Sequence, residues 1–207
     1  MTTRKLVPRD YIAIGLYSVL LFIINAIVMV VLTPVINYAM AFVFGICLFF
    51  TAIVYLLMAI RVSKRGTLLM MALTIGLFYT LLGAPFMLLF FALAGLAGEA
   101  TLWPGDQQRS QYSSIKRQAL AYAVYGAIQC NGIFIMIRLF GTQYFEQGHK
   151  SPQEVAQLLY FSHSANWLLI NAAFSFGCAL LGCMFAHTLL KKHFYKSGFL
   201  TIKNKEK

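Results

Sequence analysis

Six long apolar stretches alternate with short polar connections, and nearly all the positive charge falls on every second connection. The stretches cover about residues 11–32, 36–60, 66–82, 86–100, 117–140 and 164–190. A helix rises about 1.5 Å per residue, so roughly 20 apolar residues cross a hydrocarbon core of about 30 Å. A barrel strand would be shorter and would alternate apolar with polar positions, which these stretches do not. The pattern predicts an all-α integral membrane protein, a bundle of six transmembrane helices forming a single domain over residues 1–207. The first stretch is too long for the apolar region of a secretory signal and ends without an A-x-A cleavage pattern. It reads as a retained span.

Composition supports that class. Of the 207 residues, 60% are hydrophobic and only 11% charged, against about 25% charged in a soluble domain. The net charge of +11 does not point to nucleic acid, because no basic patch is interleaved with exposed aromatics. Instead, 15 of the 17 Lys and Arg residues flank the apolar stretches in four clusters. These are Arg4–Arg9, Arg61–Arg65, Arg109–Arg117 and the tail from Lys191 to Lys207. The positive-inside rule then places both termini in the cytoplasm, with residues 191–207 a basic cytoplasmic tail beside anionic lipid headgroups. The same reading makes it a multi-pass membrane protein. Cys47, Cys130, Cys178 and Cys183 all lie in apolar spans and form no CxxC pair, so buried free thiols are expected.

Several local signals refine the layout. Asp10 is the expected N-cap of span one, and Thr33-Pro34 is expected to end it. Residues 67–98 read either as two tilted spans or as a re-entrant pair. Ser151-Pro152-Gln153-Glu154 starts a short amphipathic helix in the outer loop before the last span. Small residues recur every four positions at Ala119, Ala123 and Ala127 and again at Cys178, Gly182 and Ala186. Such ridges let helices approach closely, either inside the bundle or against a partner subunit. Ala13, Gly15 and Ser18 make a weaker ridge on span one, a candidate docking face.

Polar residues inside a membrane need an explanation, because unpaired polar groups in hydrocarbon are costly. Counted from the outer ends of their spans, Asn25, Asn131 and Asn171 sit roughly 10–14 Å beneath the outer surface, with Gln129 slightly deeper. Asn166, Trp167, Arg138 and Tyr38 lie nearer the mouth. Two readings stand side by side. One is a polar pocket open to the outside, with amides as hydrogen-bonding groups, Trp167 and Tyr38 as stacking surfaces and Arg138 as a clamp for an anion or carbonyl. The other is a set of interhelical amide pairs, each worth about 0.6–2 kcal/mol, with Arg138 snorkelling to the interface. No acidic pair, Ser/His/Asp set, HExxH or phosphate loop is present, so neither an enzyme, a metal site nor a cofactor is expected. The lack of a mid-membrane carboxylate also speaks against a proton-coupled carrier.

The chain's end, Leu190-Lys191-Lys192-His193-Phe194-Tyr195-Lys196-Ser197-Gly198, resembles the LKKHFxKAG ending of the Trep_Strep family. Arg9-Asp10-Tyr11-Ile12-Ala13-Ile14-Gly15-Leu16-Tyr17 is similar to that family's opening, and Lys64-Arg65-Gly66-Thr67 to its turn before span three. Gly98-Glu99 resembles its small-acidic pair ending span four, and Lys116-Arg117 through Tyr122 its basic lead-in to span five. The resemblance implies a substrate-binding (S) component of an energy-coupling factor transporter. Such a component is a six-helix bundle that captures a vitamin or other micronutrient from outside. Its implied partners are a transmembrane coupling (T) subunit and two cytoplasmic ATPases, and its implied pocket is built from spans four to six in the outer half. The alternative is a structural or regulatory membrane protein acting through helix–helix contacts.

Overall fold

A computed structural model describes residues 6–103, 112, 114–141 and 152–193; the side chains of 35–39, 154 and 193 lie outside that description. The described residues form seven helices: α1 (Pro8–Val62), α2 (Thr67–Leu81), α3 (Met87–Leu102), α4 (Ile115–Gln129), α5 (Gly132–Phe140), α6 (Pro152–His163) and α7 (Ala165–His193). No strand occurs among them. Four segments are long and apolar enough to cross a membrane: Pro8–Pro34, Met40–Val62, Ile115–Phe140 and Ala165–Lys192. The helices α2 and α3, of 15 and 16 residues, are apolar but shorter.

The first surprise is α1. The sequence reads as two spans separated by a break at Thr33-Pro34, whereas the backbone is helical from Pro8 to Val62. A straight helix of that length would hold its ends about 80 Å apart. Instead, Lys64 beyond its far end forms a salt bridge with Asp10 in its first turn. Arg61 Nη1 donates to the Tyr17 hydroxyl at 3.3 Å. The helix therefore folds back on itself as two arms, and these pairings place the reversal between Pro34 and Met40. Proline there lacks the N–H that would donate to the carbonyl four residues back, and its ring crowds that carbonyl. The expected cap also moves. Pro8 opens the helix, so Asp10 sits inside the first turn, where its Oδ2 accepts the Val7 N–H at 2.8 Å.

Around the two arms, α2 packs on α3 and on α1, α3 on α4, and α7 on both α1 and α4. The core is aromatic as much as aliphatic. Tyr55, Tyr122, Phe91, Leu56 and Met58 are fully buried. A second, smaller cluster joins α5 to α6: Leu158 of α6 is buried against Met40, Phe134 and Ile137. The expected short helix before the last span is thus present as α6, with Pro152 at its start; Ser151 lies outside the described residues.

Both small-residue ridges face inward over most of their length, with Ala127 and Cys178 half-buried. Ala123 and Ala186 are fully buried. At Gly182 a Cβ would lie 2.6 Å from the Phe49 carbonyl oxygen and 2.8 Å from Phe49 Cα, so α7 meets the second arm of α1 backbone to backbone. The outer surface is the reverse. Ile12, Leu16, Val30 and Val31 are each 70% exposed or more, which suits hydrocarbon and not water.

Two outcomes test this packing. Cysteines introduced by Asp10→Cys and Lys64→Cys should cross-link within one chain on oxidation; two monomeric arms held apart would not. Gly182→Leu should destabilise the bundle by about 1–3 kcal/mol through overpacking. Gly177→Leu, where nothing lies within 4 Å of the added Cβ, should leave thermal unfolding in detergent nearly unchanged.

Candidate functional site

Among the described residues four polar groupings lie between the helices, and the first of them borders a cavity. The cavity lies between both arms of α1 and helices α2, α3 and α4. It is lined by Leu21, Phe22, Asn25, Leu48, Thr51, Met71, Ile75, Tyr79, Phe91, Tyr122, Tyr125 and Gln129. Its total void, mouth included, is about 410 Å³, of which about 40 Å³ admits the centre of a water molecule. A water needs roughly 10–15 Å³ by the second measure, so the cavity holds a few waters as it stands.

The lining combines aromatic walls with neutral polar atoms. The rings of Tyr79 and Phe91 stack at 5.3 Å, and Phe22 meets Tyr79 edge-on at 5.9 Å. Tyr122 and Tyr125 stack at 5.8 Å, one helical turn apart on α4. Asn25 Nδ2 donates to the Tyr79 hydroxyl at 3.3 Å, and the Thr51 and Tyr122 hydroxyls share a hydrogen bond of 2.8 Å. Gln129 Oε1 accepts from the Cys130 thiol at 3.5 Å. No lining residue carries a charge.

The second grouping closes a break in the span Ile115–Phe140. Here α4 ends at Gln129 and α5 starts at Gly132, leaving Cys130 and Asn131 outside regular helix. Such a break exposes backbone carbonyls, and two asparagines answer them. Asn171 of α7 donates through Nδ2 to the Cys130 carbonyl at 3.2 Å and to Asn131 Oδ1 at 2.9 Å. Asn131 Nδ2 donates to the carbonyls of Ala127 at 3.1 Å and Leu168 at 3.2 Å, and the Ser175 hydroxyl donates to Asn171 Oδ1 at 3.3 Å. Both asparagines are buried and mutually satisfied. They form a clasp, and neither lines the cavity.

A third grouping lies deeper in the core. The Tyr55 hydroxyl donates to Gln118 Oε1 at 2.6 Å, and Gln118 Nε2 donates to the Tyr112 carbonyl at 2.8 Å. Tyr55 stacks on Tyr122 at 4.2 Å, which joins this pair to the cavity wall. The fourth grouping ties the basic end together. Beside the Asp10–Lys64 bridge, Glu99 Oε1 accepts the Gly66 N–H at 2.6 Å, in front of α2. Gly66 itself has φ +87°, a left-handed conformation that suits glycine, and Arg65 lies 4.3 Å over the Trp103 ring.

The structure therefore divides the residues expected in one pocket. Asn25 and Gln129 border the cavity. Asn131 and Asn171 do not, because they are spent on the helix break. Arg138 and Asn166 are exposed and stand away from the cavity, and Trp167 is half-buried among Phe42, Phe161 and Tyr160. The Tyr38 side chain lies outside the described residues. On the candidate docking face, Ala13 and Gly15 are half-buried, whereas Ser18 is fully buried and turned into the bundle. Sequence reasoning missed Thr51, Tyr79, Tyr122 and Tyr125. The available signal was the hydroxyl count of the apolar spans, with Tyr122 and Tyr125 one turn apart on α4. The cavity also draws on spans one to five, whereas the family resemblance implies spans four to six.

Removing the clasp and removing a cavity amide should differ. Asn171→Leu leaves the Cys130 carbonyl and Asn131 Oδ1 without their donor and should cost about 1–3 kcal/mol in thermal unfolding. Gln129→Leu breaks no interhelical bond and should stay within about 0.5 kcal/mol of the parent. Equal losses would mean that both amides serve packing alike.

No curated protein and no solved structure matches the chain. One family does: the sequence model described as "Hypothetical bacterial integral membrane protein (Trep_Strep)" matches residues 8–196, which is nearly the whole chain. With its long apolar helices and lipid-suited exterior, this multi-pass bacterial membrane protein belongs to the Trep_Strep family.

Proposed function

We propose that the protein captures a small solute for uptake, as the substrate-binding subunit of an energy-coupling factor transporter. The observation that carries this reading is the mid-bundle cavity, walled by rings and bordered by the two neutral amides Asn25 and Gln129. Buried pockets with mostly apolar walls and a few placed polar groups are the usual form of a small-molecule site. In this reading α2 and α3 complete a set of six crossings, and the basic clusters keep both termini in the cytoplasm. Binding widens a cavity that holds only a few waters, by movement of the side chains at its mouth. Energy comes from a transmembrane coupling subunit and two cytoplasmic ATPases supplied in trans. The half-buried Ala13 and Gly15, the latter with open space beside it, offer the coupling subunit a close approach. The chain itself catalyses no reaction.

The alternative, a protein acting only through helix–helix contacts, relied on the small-residue ridges as partner surfaces. Their inward packing at Ala123, Gly182 and Ala186 argues for capture over that alternative.

The test is thermal stabilisation of the purified full chain against a panel of vitamins and other micronutrients. At least one compound should raise the unfolding midpoint. Gln129→Leu should abolish that rise while the unliganded midpoint holds; Asn25→Leu should abolish it too, with a lower unliganded midpoint because the Tyr79 hydroxyl loses its donor. A panel without any stabilising compound, together with unimpaired growth of cells carrying both substitutions on limiting micronutrients, would remove the capture reading.

A further inference from the structure

Resting on that capture reading, we infer that the solute is an uncharged, single-ring compound bearing a carboxamide or the equivalent donor–acceptor pair. Three observations converge on this class.

The first is charge. All twelve lining residues are neutral, and the Asp10–Lys64 and Arg65–Trp103 pairs lie at the basic end of the bundle. Arg138, the basic residue expected to clamp an anion, is exposed and absent from the lining. An ionised solute would leave water for a site with no countercharge, which is strongly unfavourable.

The second is the pattern of spare hydrogen-bonding atoms. Asn25 uses its Nδ2 on Tyr79, and Gln129 uses its Oε1 on Cys130. Among the described residues, Asn25 Oδ1 and Gln129 Nε2 then have no partner. One is an acceptor and the other a donor, both on one cavity. A carboxamide or lactam answers both at once. A carboxylate offers only acceptors and leaves Asn25 Oδ1 unanswered. An ammonium offers only donors and leaves Gln129 Nε2 unanswered.

The third is shape and size. Five of the twelve lining side chains are aromatic: Phe22, Tyr79, Phe91, Tyr122 and Tyr125. Aromatic faces and edges receive a flat ring well. The cavity is small before its mouth yields, which favours a guest of one ring over a larger one.

The experiment uses a matched trio on the purified full chain near pH 7.5: benzamide, benzoate and benzylammonium, which share one ring and differ in charge. Benzamide should bind at least ten-fold more tightly than either ion, read from thermal-shift titration. Gln129→Glu should weaken benzamide by at least ten-fold and move preference toward benzylammonium. Should that variant misfold, Asn25→Leu provides the second reading and should weaken benzamide equally.

Each other result overturns the inference. Benzoate or benzylammonium matching benzamide would remove the neutrality argument and leave capture standing. No binding of the trio, alongside stabilisation by a larger or charged micronutrient, would remove the single-ring amide class alone. Silence from both the trio and the micronutrient panel would remove the capture reading as well. Unchanged benzamide affinity in both variants would show that these amides do not read the guest.

Discussion

Hydrocarbon offers no hydrogen bonds, so a polar atom carried into this bundle must be answered by another part of the same chain. That constraint organises the molecule. Asn131 and Asn171 answer carbonyls left open by the break between α4 and α5. Gln118 answers Tyr55, and Thr51 answers Tyr122, at contacts between helices distant in sequence. Among the described residues Ser18 Oγ, Glu99 Oε2 and Gln157 Oε1 stay buried without a partner, and Asn25 and Gln129 each hold a spare atom on the cavity. The functional reading follows from that remainder more than from any polar residue taken singly.

The segments by which the chain resembles its family are scattered in sequence but meet in space. Asp10, from the opening segment, pairs with Lys64, from the turn before α2. Gly66 of that same turn donates its N–H to Glu99 at the end of α3. Beside Glu99, a Cβ on Gly98 would stand 2.8 Å from the Ala121 carbonyl, in the basic lead-in to α4. Four segments thus form one contiguous seam at the basic end. Their chemistry is that of a frame: it closes the two arms of α1 and seats three further helices on them. Of these segments only the last reaches the cavity, through Tyr122 at its end.

Hydropathy made most of the helical layout legible, because roughly 20 apolar residues in a row have one low-cost conformation in lipid. It was less informative about Pro34. A proline marks a change of direction without saying whether helical backbone continues through it, and here it does. Depth was also legible: Asn131 and Asn171 were placed at one level, and they touch. Facing was not. Gln129 and Asn131 are two residues apart, which on a helix points them to opposite sides. One borders the cavity and the other the clasp, a division that counting depth could not make. The tyrosines escaped notice for a different reason. Their rings read as apolar filling, and only contact reveals which hydroxyls are paired.

The two tryptophans of the described chain stand at opposite rims. Trp103 lies under Arg65 at the end where the arms of α1 close, and Trp167 packs on Phe42 at the other end of the second arm. Neither belongs to the cavity, whose walls are built from phenylalanine and tyrosine. Indole emission from this protein is accordingly a pair of markers, one for each end of the bundle, while its centre speaks only through its phenols.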